Sequence, residues 1–419
     1  MKANKYFILF CMVLLTVSCA KKNVKPTQQT TQNCDCTQSA KPSEKAPIQL
    51  PEAPKPAVDD KASTPVNTSD YALLKPVNWR DIDGFAEDDL SAAWPAWLQS
   101  CSTLINKAQW QTACTEAKAL NKPNKQAVKA YFTQNFNVYS ATNQDGADTG
   151  LVTGYYEPLL KGSRSKSAQY PHPLYRQPSD LVTVDLGEIY PDLKYKRVRG
   201  KLLGNKLIPY STRAEIEATP SPLAGNELVW INDIIDVFFL QVQGSGLVKL
   251  DNGGEVHVGY ADQNGHAYNS IGRVLIERGE LSADQASMQG IKNWARNNLS
   301  KLRDLLNSNP SYVFFRELPA GLSGPLGALG VPISAERSVA IDPKFIPLGA
   351  PIFLSTTQPN SANPLKRLML AQDTGGAIKG GVRADFFWGA GNEAGARAGA
   401  MKQQGKIWVL LPKEFQLPN

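Results

Sequence analysis

The sequence predicts a mainly β protein with flanking helices, an α+β fold. Many short apolar runs are separated by Gly, Pro, Asn and Asp, which is the pattern of strands joined by tight turns. Helical spacing of apolar residues is confined to the tryptophan-rich segment 79–110, the segment 279–306 and the alanine-rich segment 391–404. Strands are therefore expected to supply most of the core.

Length and charge limit the domain count and the class of partner. The chain has 419 residues, so about two domains and a tail are expected. A net charge of +7 and a pI near 8.9 predict a mildly basic surface suited to an anionic polymer or a membrane. Nucleic acid is not expected as a partner, because no dense basic run is interleaved with aromatic residues.

The N-terminus has the pattern of an exported lipoprotein. Lysines precede the apolar run 7–17, which is too short to span a membrane permanently and predicts a signal peptide over residues 1–18. Cys19 is expected to become the lipidated N-terminus, as in the bacterial lipoprotein signals that this segment resembles; an ordinary cleaved signal is the alternative. Ala20 stands where an aspartate would suggest inner-membrane retention. The resemblance therefore implies a lipid anchor on the periplasmic side of the bacterial outer membrane.

Residues 19–70 are rich in Lys, Thr, Gln, Pro and Ala and contain few large apolar residues. Such a segment cannot bury enough surface to fold, so a disordered tether is expected. Cys34 and Cys36 lie within it. A bridge between them would close a strained ring, and intermolecular pairing or reactive thiols remain open.

The folded part begins with amphipathic helices. Trp94, Trp97 and Trp110 recur at mostly helical spacing and are expected to pack in the core. Cys101 and Cys114 flank a short helical segment, so a stabilising disulfide is expected in an oxidising compartment.

The middle of the chain predicts a second domain inserted into the first. Residues 160–316 read as short strands, one of them over 237–242, with a helix in 279–306 for which Ser282 is the expected N-cap, and we expect them to form a β-rich inserted domain. Residues 71–159 and 317–419 would then form one discontinuous domain. Its C-terminal strands and single helix are compatible with a small closed barrel.

Two carboxylates near the C-terminus form the candidate site. Asp373 ends a short apolar strand, a glycine-rich turn follows, and Asp385 begins the next strand, so the acids are brought back toward each other. Lys379 and Arg383 place positive charge beside them. The alternative is a surface hairpin in which the aspartates only cap turns.

Other chemistries have little support. The three histidines stand at no zinc-ligand spacing, so no metal or other cofactor is expected. The sequence also lacks a Ser-His-Asp order, a nucleophile elbow and a phosphate loop. Carboxylate catalysis is the main remaining option.

Several runs resemble a known family in order along the chain. They are Thr153-Gly-Tyr-Tyr-Glu-Pro158, Phe238-Phe-Leu-Gln-Val-Gln-Gly-Ser-Gly246, Asn264-Gly-His-Ala-Tyr-Asn-Ser-Ile-Gly272, the Ala340-Ile-Asp342-Pro loop, Asp373-Thr-Gly-Gly-Ala-Ile-Lys-Gly380 and Arg383-Ala-Asp385-Phe-Phe387. Together they resemble the membrane-bound lytic murein transglycosylase A family with its C-terminal three-aspartate domain. The resemblance covers roughly residues 71–411.

That resemblance implies a double-psi β-barrel as the catalytic domain, a second small β-barrel inserted into it as the substrate-binding domain, and a substrate groove between them. It also implies cleavage of the β-1,4 bond between N-acetylmuramic acid and N-acetylglucosamine, with 1,6-anhydro-muramic acid ends. Asp385 would be the principal acid, with Asp373 and Asp342 in supporting roles. Asp373, by its charge, and the shielding rings of Phe386 and Trp388 are expected to raise the pKa of Asp385.

Candidate substrate contacts come from the same segments. Tyrosine rings suit sugar faces, and amides on one face of a strand could bind sugar hydroxyls or acetamido groups. The candidates are Tyr155, Tyr156, Gln241, Gln243, Ser245, Lys379 and Arg383. A half-buried tyrosine pair and a strand ending in a glycine turn are the structural alternatives. Glu157 is a further possible acid, although Pro158 favours a capping role.

Two other functions remain open from the sequence. One is a glycoside hydrolase on the same fold, which would need a second carboxylate with room for water. The other is a non-catalytic murein-binding lipoprotein. The expected partners are peptidoglycan glycan strands and, through the lipid anchor, the outer membrane; cell-wall synthesis proteins are further candidates.

Overall fold

The computed structural model describes residues 70–418. The predicted signal peptide, Cys19, the tether, Cys34 and Cys36 lie outside these residues. Within 70–418, no helix combines the length and the apolar composition needed to cross a membrane.

Strands are more numerous than helices in this part of the chain. The strands are β1 (Leu74–Val77), β2 (Phe136–Ala141), β3 (Gly150–Glu157), β4 (Leu159–Ser163), β5 (His172–Tyr175), β6 (Val182–Thr183), β7 (Arg199–Leu203), β8 (Lys206–Ile208), β9 (Glu227–Ile231), β10 (Ser245–Leu250), β11 (Glu255–Gln263), β12 (Val313–Glu317), β13 (Ser338–Ile341), β14 (Pro351–Thr357), β15 (Pro364–Thr374), β16 (Ala384–Ala390) and β17 (Lys402–Pro412). The helices are α1 (Trp94–Leu104), α2 (Ala108–Ala119), α3 (Lys125–Asn135), α4 (Arg213–Ile216), α5 (Ile234–Gln243), α6 (Ile271–Glu277), α7 (Met288–Asn297), α8 (Leu299–Asn307) and α9 (Gly391–Ala400). The mainly β fold class is confirmed.

Six strands close into a barrel in the order β3-β17-β14-β15-β13-β16, with β16 returning to β3. The pairings of β13 with β15 and of β3 with β16 are parallel, and the other four are antiparallel. β2 and β1 extend this sheet beyond β17. Because β3 precedes the inserted segment and β13–β17 follow it, the barrel is assembled from two separate stretches of chain.

A second sheet of six strands follows β3, in the order β5-β9-β4-β10-β11-β12. A bridge between Arg176 and Phe315 brings its two edges together. This sheet has its own apolar core, which includes Val229, Ile231 and Val248. The barrel and the inserted segment therefore each have a core, as expected for a small barrel inserted into a larger one.

The expected strand over 237–242 is wrong, because this run forms helix α5. Asp233 caps the helix by accepting a hydrogen bond from the Ile235 amide at 2.9 Å. Gly244 ends it with a left-handed φ of 83°, a conformation that glycine adopts readily. A short run that is apolar all round fits a buried strand and a buried helix equally well.

The helix expected over 279–306 is also divided differently. α7 begins after Ser287, whose hydroxyl accepts from the Gly290 amide at 3.1 Å. Ser282 lies in a preceding turn and is not the N-cap. α8 follows α7 after a single break at Asn298. The amphipathic pattern therefore predicts helical structure correctly here, but it places the start of the helix too early.

The N-terminal helices cover one side of the barrel sheet. Trp97 is fully buried on α1 and packs beside Trp110 and Phe136. Its indole nitrogen donates to the Tyr131 hydroxyl at 3.1 Å. A disulfide between Cys101 and Cys114 ties α1 to α2. The tryptophans of this region serve packing.

Candidate active site

Strand register brings Asp373 and Asp385 to the same level of the barrel. Ala340 of β13 is the register partner of Asp373 on one side and of Asp385 on the other. Thr153 of β3 continues the row as the partner of Asp385. The four residues Asp373, Ala340, Asp385 and Thr153 thus lie across four adjacent strands, which we call the aspartate row.

Side-chain alternation puts an apolar floor beside this row. Asp385 and Phe387 are two residues apart on β16, so they share one face, while Phe386 and Trp388 point to the barrel core. Phe387 packs against Tyr155, with ring centroids 5.1 Å apart, and Ile333, Ala340 and Ile378 complete the cluster. Phe387, not Phe386 or Trp388, therefore shields Asp385, which corrects the expectation from the sequence.

Asp385 is held by a hydroxyl, which in turn is held by a guanidinium. Its Oδ1 accepts a hydrogen bond from the Thr153 hydroxyl at 2.5 Å, and Arg383 donates to the same hydroxyl oxygen at 2.9 Å. Burial raises the pKa of the Asp385 carboxyl, while Thr153 and the positive charge of Arg383 act against the rise. The net direction of the pKa shift is upward, so the Asp385 carboxyl releases its proton less readily than a free aspartate.

Asp373 accepts three hydrogen bonds. Its Oδ1 takes the backbone amides of Ala328 and Thr374, each at 2.9 Å, and its Oδ2 takes the Tyr155 hydroxyl at 3.0 Å. Burial nevertheless raises the pKa of Asp373 to about 6, and the negative charge of Asp385 adds to the rise. The like-charge effect between the two acids thus falls on Asp373.

Asp342 fastens the glycine-rich turn, residues 375–381, which we call the glycine loop. Its Oδ2 accepts from the Gly380 amide at 3.1 Å, and the side chain is 4% exposed. The Lys379 ammonium lies 3.6 Å from Oδ1 and is half exposed. Asp342 and Lys379 are therefore paired with each other beside the aspartate row.

Both candidate tyrosines are buried. Tyr155 and Tyr156 are 8% and 6% exposed, so neither presents an open ring face for a sugar to stack on. Tyr155 instead donates to Asp373, and the Tyr156 amide donates to Gln243 Oε1 at 3.0 Å. Their expected role as sugar platforms is not what this arrangement offers.

The glutamines do not share a strand face, because they lie on α5. Gln241 is 6% exposed and its Oε1 accepts from the buried guanidinium of Arg213. Gln243 links the end of α5 to β3 through Tyr156. Ser245 begins β10 and remains partly exposed. Gln241 therefore accepts a hydrogen bond inside the inserted segment, and Gln243 accepts one at the junction of this segment with the barrel.

Glu157 lies away from the aspartate row, at the point where the chain leaves the barrel. It is 4% exposed, and its Oε1 is 3.8 Å from His257 Nδ1, with neither atom hydrogen bonded within residues 70–418. Burial raises its pKa, and His257 partly opposes this. Glu157 is a buried acid at a junction between the two sheets.

Two contributors to the site were missed from the sequence. Thr153 bonds Asp385, and the Ala328 amide bonds Asp373, although both are distant from their partners along the chain. Thr153 opens a family-like run, which was the available signal. Nothing in the local sequence marks Ala328. In the described part of the chain, no cluster of three or more metal-ligating side chains occurs.

Family models match two parts of the chain. An MltA specific insert domain matches residues 151–316, and a 3D domain matches residues 337–411. The first match includes most of barrel strand β3 as well as the inserted segment, and the second covers β13 to β17 almost completely and contains Asp342, Asp373 and Asp385.

Individual relatives agree with these matches. The chain is 36% identical over 282 residues to membrane-bound lytic murein transglycosylase A of Escherichia coli K12, covering 64% of this chain and 68% of that one. The crystal structure of MltA from Neisseria gonorrhoeae is 36% identical with a TM-score of 0.70, covering 82% of this chain and 93% of that one. Escherichia coli MltA with bound chitohexaose is 29% identical with a TM-score of 0.61, covering 81% and 94%.

Proposed function

Because this chain belongs to the membrane-bound lytic murein transglycosylase A family, it is a peptidoglycan lytic transglycosylase, and we propose that Asp385 is its catalytic acid and base. The observation that carries this assignment is the environment of Asp385. The carboxyl lies in the aspartate row, and burial raises its pKa against the opposing effects of Thr153 and Arg383. A general acid must begin the reaction protonated, which a raised pKa favours.

Asp385 would first protonate the glycosidic oxygen of the β-1,4 bond between N-acetylmuramic acid and N-acetylglucosamine. The bond between C1 and that oxygen breaks as the hydroxymethyl oxygen of the same muramic acid attacks C1. The ionised Asp385 then accepts the proton of that hydroxyl. The product carries a 1,6-anhydro-muramic acid end, and no water has to be activated, so one residue can serve both steps.

Asp373 would support the reaction through its charge. With a pKa of about 6 it is largely ionised at neutral pH, and its three hydrogen-bond donors fix the carboxylate in place. A fixed negative charge in the aspartate row favours the positive charge that develops at C1. Asp342 would act indirectly by holding the glycine loop.

The setting of the reaction follows from the same family. The relatives named membrane-bound support membrane association of this chain. We propose the finer placement on the periplasmic side of the outer membrane, with Cys19 as the lipid attachment site. Such an anchor would hold the enzyme beside peptidoglycan strands, where it could take part in cell-wall turnover and remodelling with synthesis proteins.

The test is mass spectrometry of the products released from purified murein by residues 71–419. We expect anhydro-ended muropeptides from the wild type and none from Asp385→Asn. Asp148→Asn is the matched control, because Asp148 is half exposed and pairs with Lys406 away from the row; it should retain activity.

Other product patterns would overturn parts of the proposal. Reducing-end products from the wild type would identify a hydrolase. Full cleavage by a normally folded Asp385→Asn protein would remove the role of Asp385. Murein binding with no release by the wild type would leave a murein-binding protein.

A further inference from the structure

A short part of the inserted segment, residues 194–197, reaches across to the barrel. The Lys194 ammonium forms an ion pair with Asp70, which precedes β1. Tyr195 lines a cavity together with Tyr71 before β1 and with Pro343 and Pro347 after β13. The segment 194–197 therefore lies beside the loop that follows β13, which begins with Asp342.

Arg197 of this segment is held between two surfaces. Its guanidinium carbon lies 5.7 Å from the centre of the Tyr260 ring on β11. On its other side, the guanidinium lies against Gly376 of the glycine loop. A Cβ built on this glycine would be 3.4 Å from Arg197 Nη1. Gly376 follows Asp373 by three residues. A positive charge is thus positioned next to the catalytic face by contacts from both the inserted segment and the barrel.

No acidic side chain in residues 70–418 forms an ion pair with Arg197. Asp262, an acid two residues from Tyr260, is already engaged by Arg199 at 2.9 and 3.0 Å. The other cations near the row also have partners, since Lys379 lies beside Asp342 and Arg383 donates to Thr153. Arg197 makes no ion pair or hydrogen bond within this part of the chain, and it is exposed.

We propose that Arg197 binds a carboxylate of the peptidoglycan strand that lies across the aspartate row. The sugar backbone of peptidoglycan is neutral. The carboxylates of peptidoglycan belong to the lactyl group of muramic acid or to the peptide attached to that group. A guanidinium presents two parallel donors that match a carboxylate, and stacking on an aromatic ring pre-organises it.

This assignment rests on the proposed function and adds a specificity to it. Arg197 would make the enzyme prefer strands that carry muramic acid carboxylates or peptides over a neutral glycan of the same length. Because the proposed contact is to a carboxylate and not to the reacting atoms, Arg197 is a specificity-determining residue.

Binding can be measured without turnover in the Asp385→Asn background. Calorimetric titrations would use chitohexaose, which has no carboxylate, amidase-treated glycan strands, which expose the lactyl carboxylate, and strands that keep their peptides. Adding Arg197→Ala should weaken binding of a carboxylate-bearing strand roughly tenfold, the low end expected for a charged hydrogen bond in a partly exposed site. Affinity for chitohexaose should not change.

Two further variants separate this contact from general charge and from folding. Arg197→Lys keeps the charge without the paired donors, so it should recover only part of the affinity. Arg296→Ala removes the same charge from an exposed position on α7 and should leave every affinity unchanged. Equal unfolding midpoints would show that the variants fold alike.

The pattern of losses decides the outcome. A loss confined to peptide-bearing strands would identify the peptide carboxylate, and a loss that includes amidase-treated strands would identify the muramyl carboxylate. An equal loss with chitohexaose, or no loss with either anionic strand, would overturn the proposal. Since these are affinities, an absence of anhydro products would refute the proposed reaction without changing this result.

Discussion

Thr153 should set the pH range in which Asp385 can act as an acid. Its hydroxyl donates to Asp385 Oδ1 at 2.5 Å, and this hydrogen bond lowers the pKa of Asp385. Thr153→Val removes the donor with little change of shape. A hydrogen bond to a charged group contributes about 1.5–3 kcal/mol, and each pKa unit corresponds to about 1.4 kcal/mol. The change should therefore raise the pKa of Asp385 by roughly one unit.

The sign of the effect on rate follows from the role of the carboxyl. An acid with a higher pKa stays protonated to higher pH, so the alkaline limb of the kcat profile should move upward by about one pH unit. The assay is release of soluble muropeptides across the pH range. Thr374→Val is the control, because Thr374 touches Asp373 through its backbone amide. An unmoved or downward-shifted limb in Thr153→Val would refute this account of Asp385.

Two further predictions concern stability. Replacing Cys101 and Cys114 by serine should lower the free energy of unfolding by about 3 kcal/mol, because the 13-residue separation constrains the unfolded chain; urea denaturation would show this, and an unchanged midpoint would contradict it. Glu157→Gln should cost less stability at pH 7 than at pH 4. Burial raises the native pKa of Glu157, so its stabilising contribution is present at low pH and is lost as pH rises through that pKa. A variant destabilised chiefly at pH 7 in urea would contradict this.

The C-terminal strands and the two acids could be predicted from the sequence because their signals are local. β14, β15 and β17 each contain a continuous apolar run, residues 351–354, 368–371 and 407–411; Asp373 follows the second of these, and Asp385 precedes the apolar run of β16. The glycines between the two acids predict a turn. Local patterns of this kind specify which residues form strands, and the short loop then brings the acids near one another.

The partners of those acids depend on register between distant segments. Thr153 meets Asp385 only because β3 pairs in parallel with β16, and the two residues are 232 positions apart. The same dependence explains the wrong choice of shielding rings. Side-chain alternation shows that Phe386 and Phe387 face opposite sides, but only the packed barrel shows which side is the site.

Alternate residues of strand β3 contact the two acids and the barrel core. Thr153 and Tyr155 face the aspartate row and bond Asp385 and Asp373 in turn. Gly154 faces the other way, where a Cβ would come within 2.7 Å of Trp388 Nε1 and 2.9 Å of the Ala398 backbone on α9. A side chain at 154 would therefore push β3 away from β16. Because the two side-chain hydroxyls that bond the acids both belong to β3, such a shift would alter the two carboxyl environments together without a change in either acid.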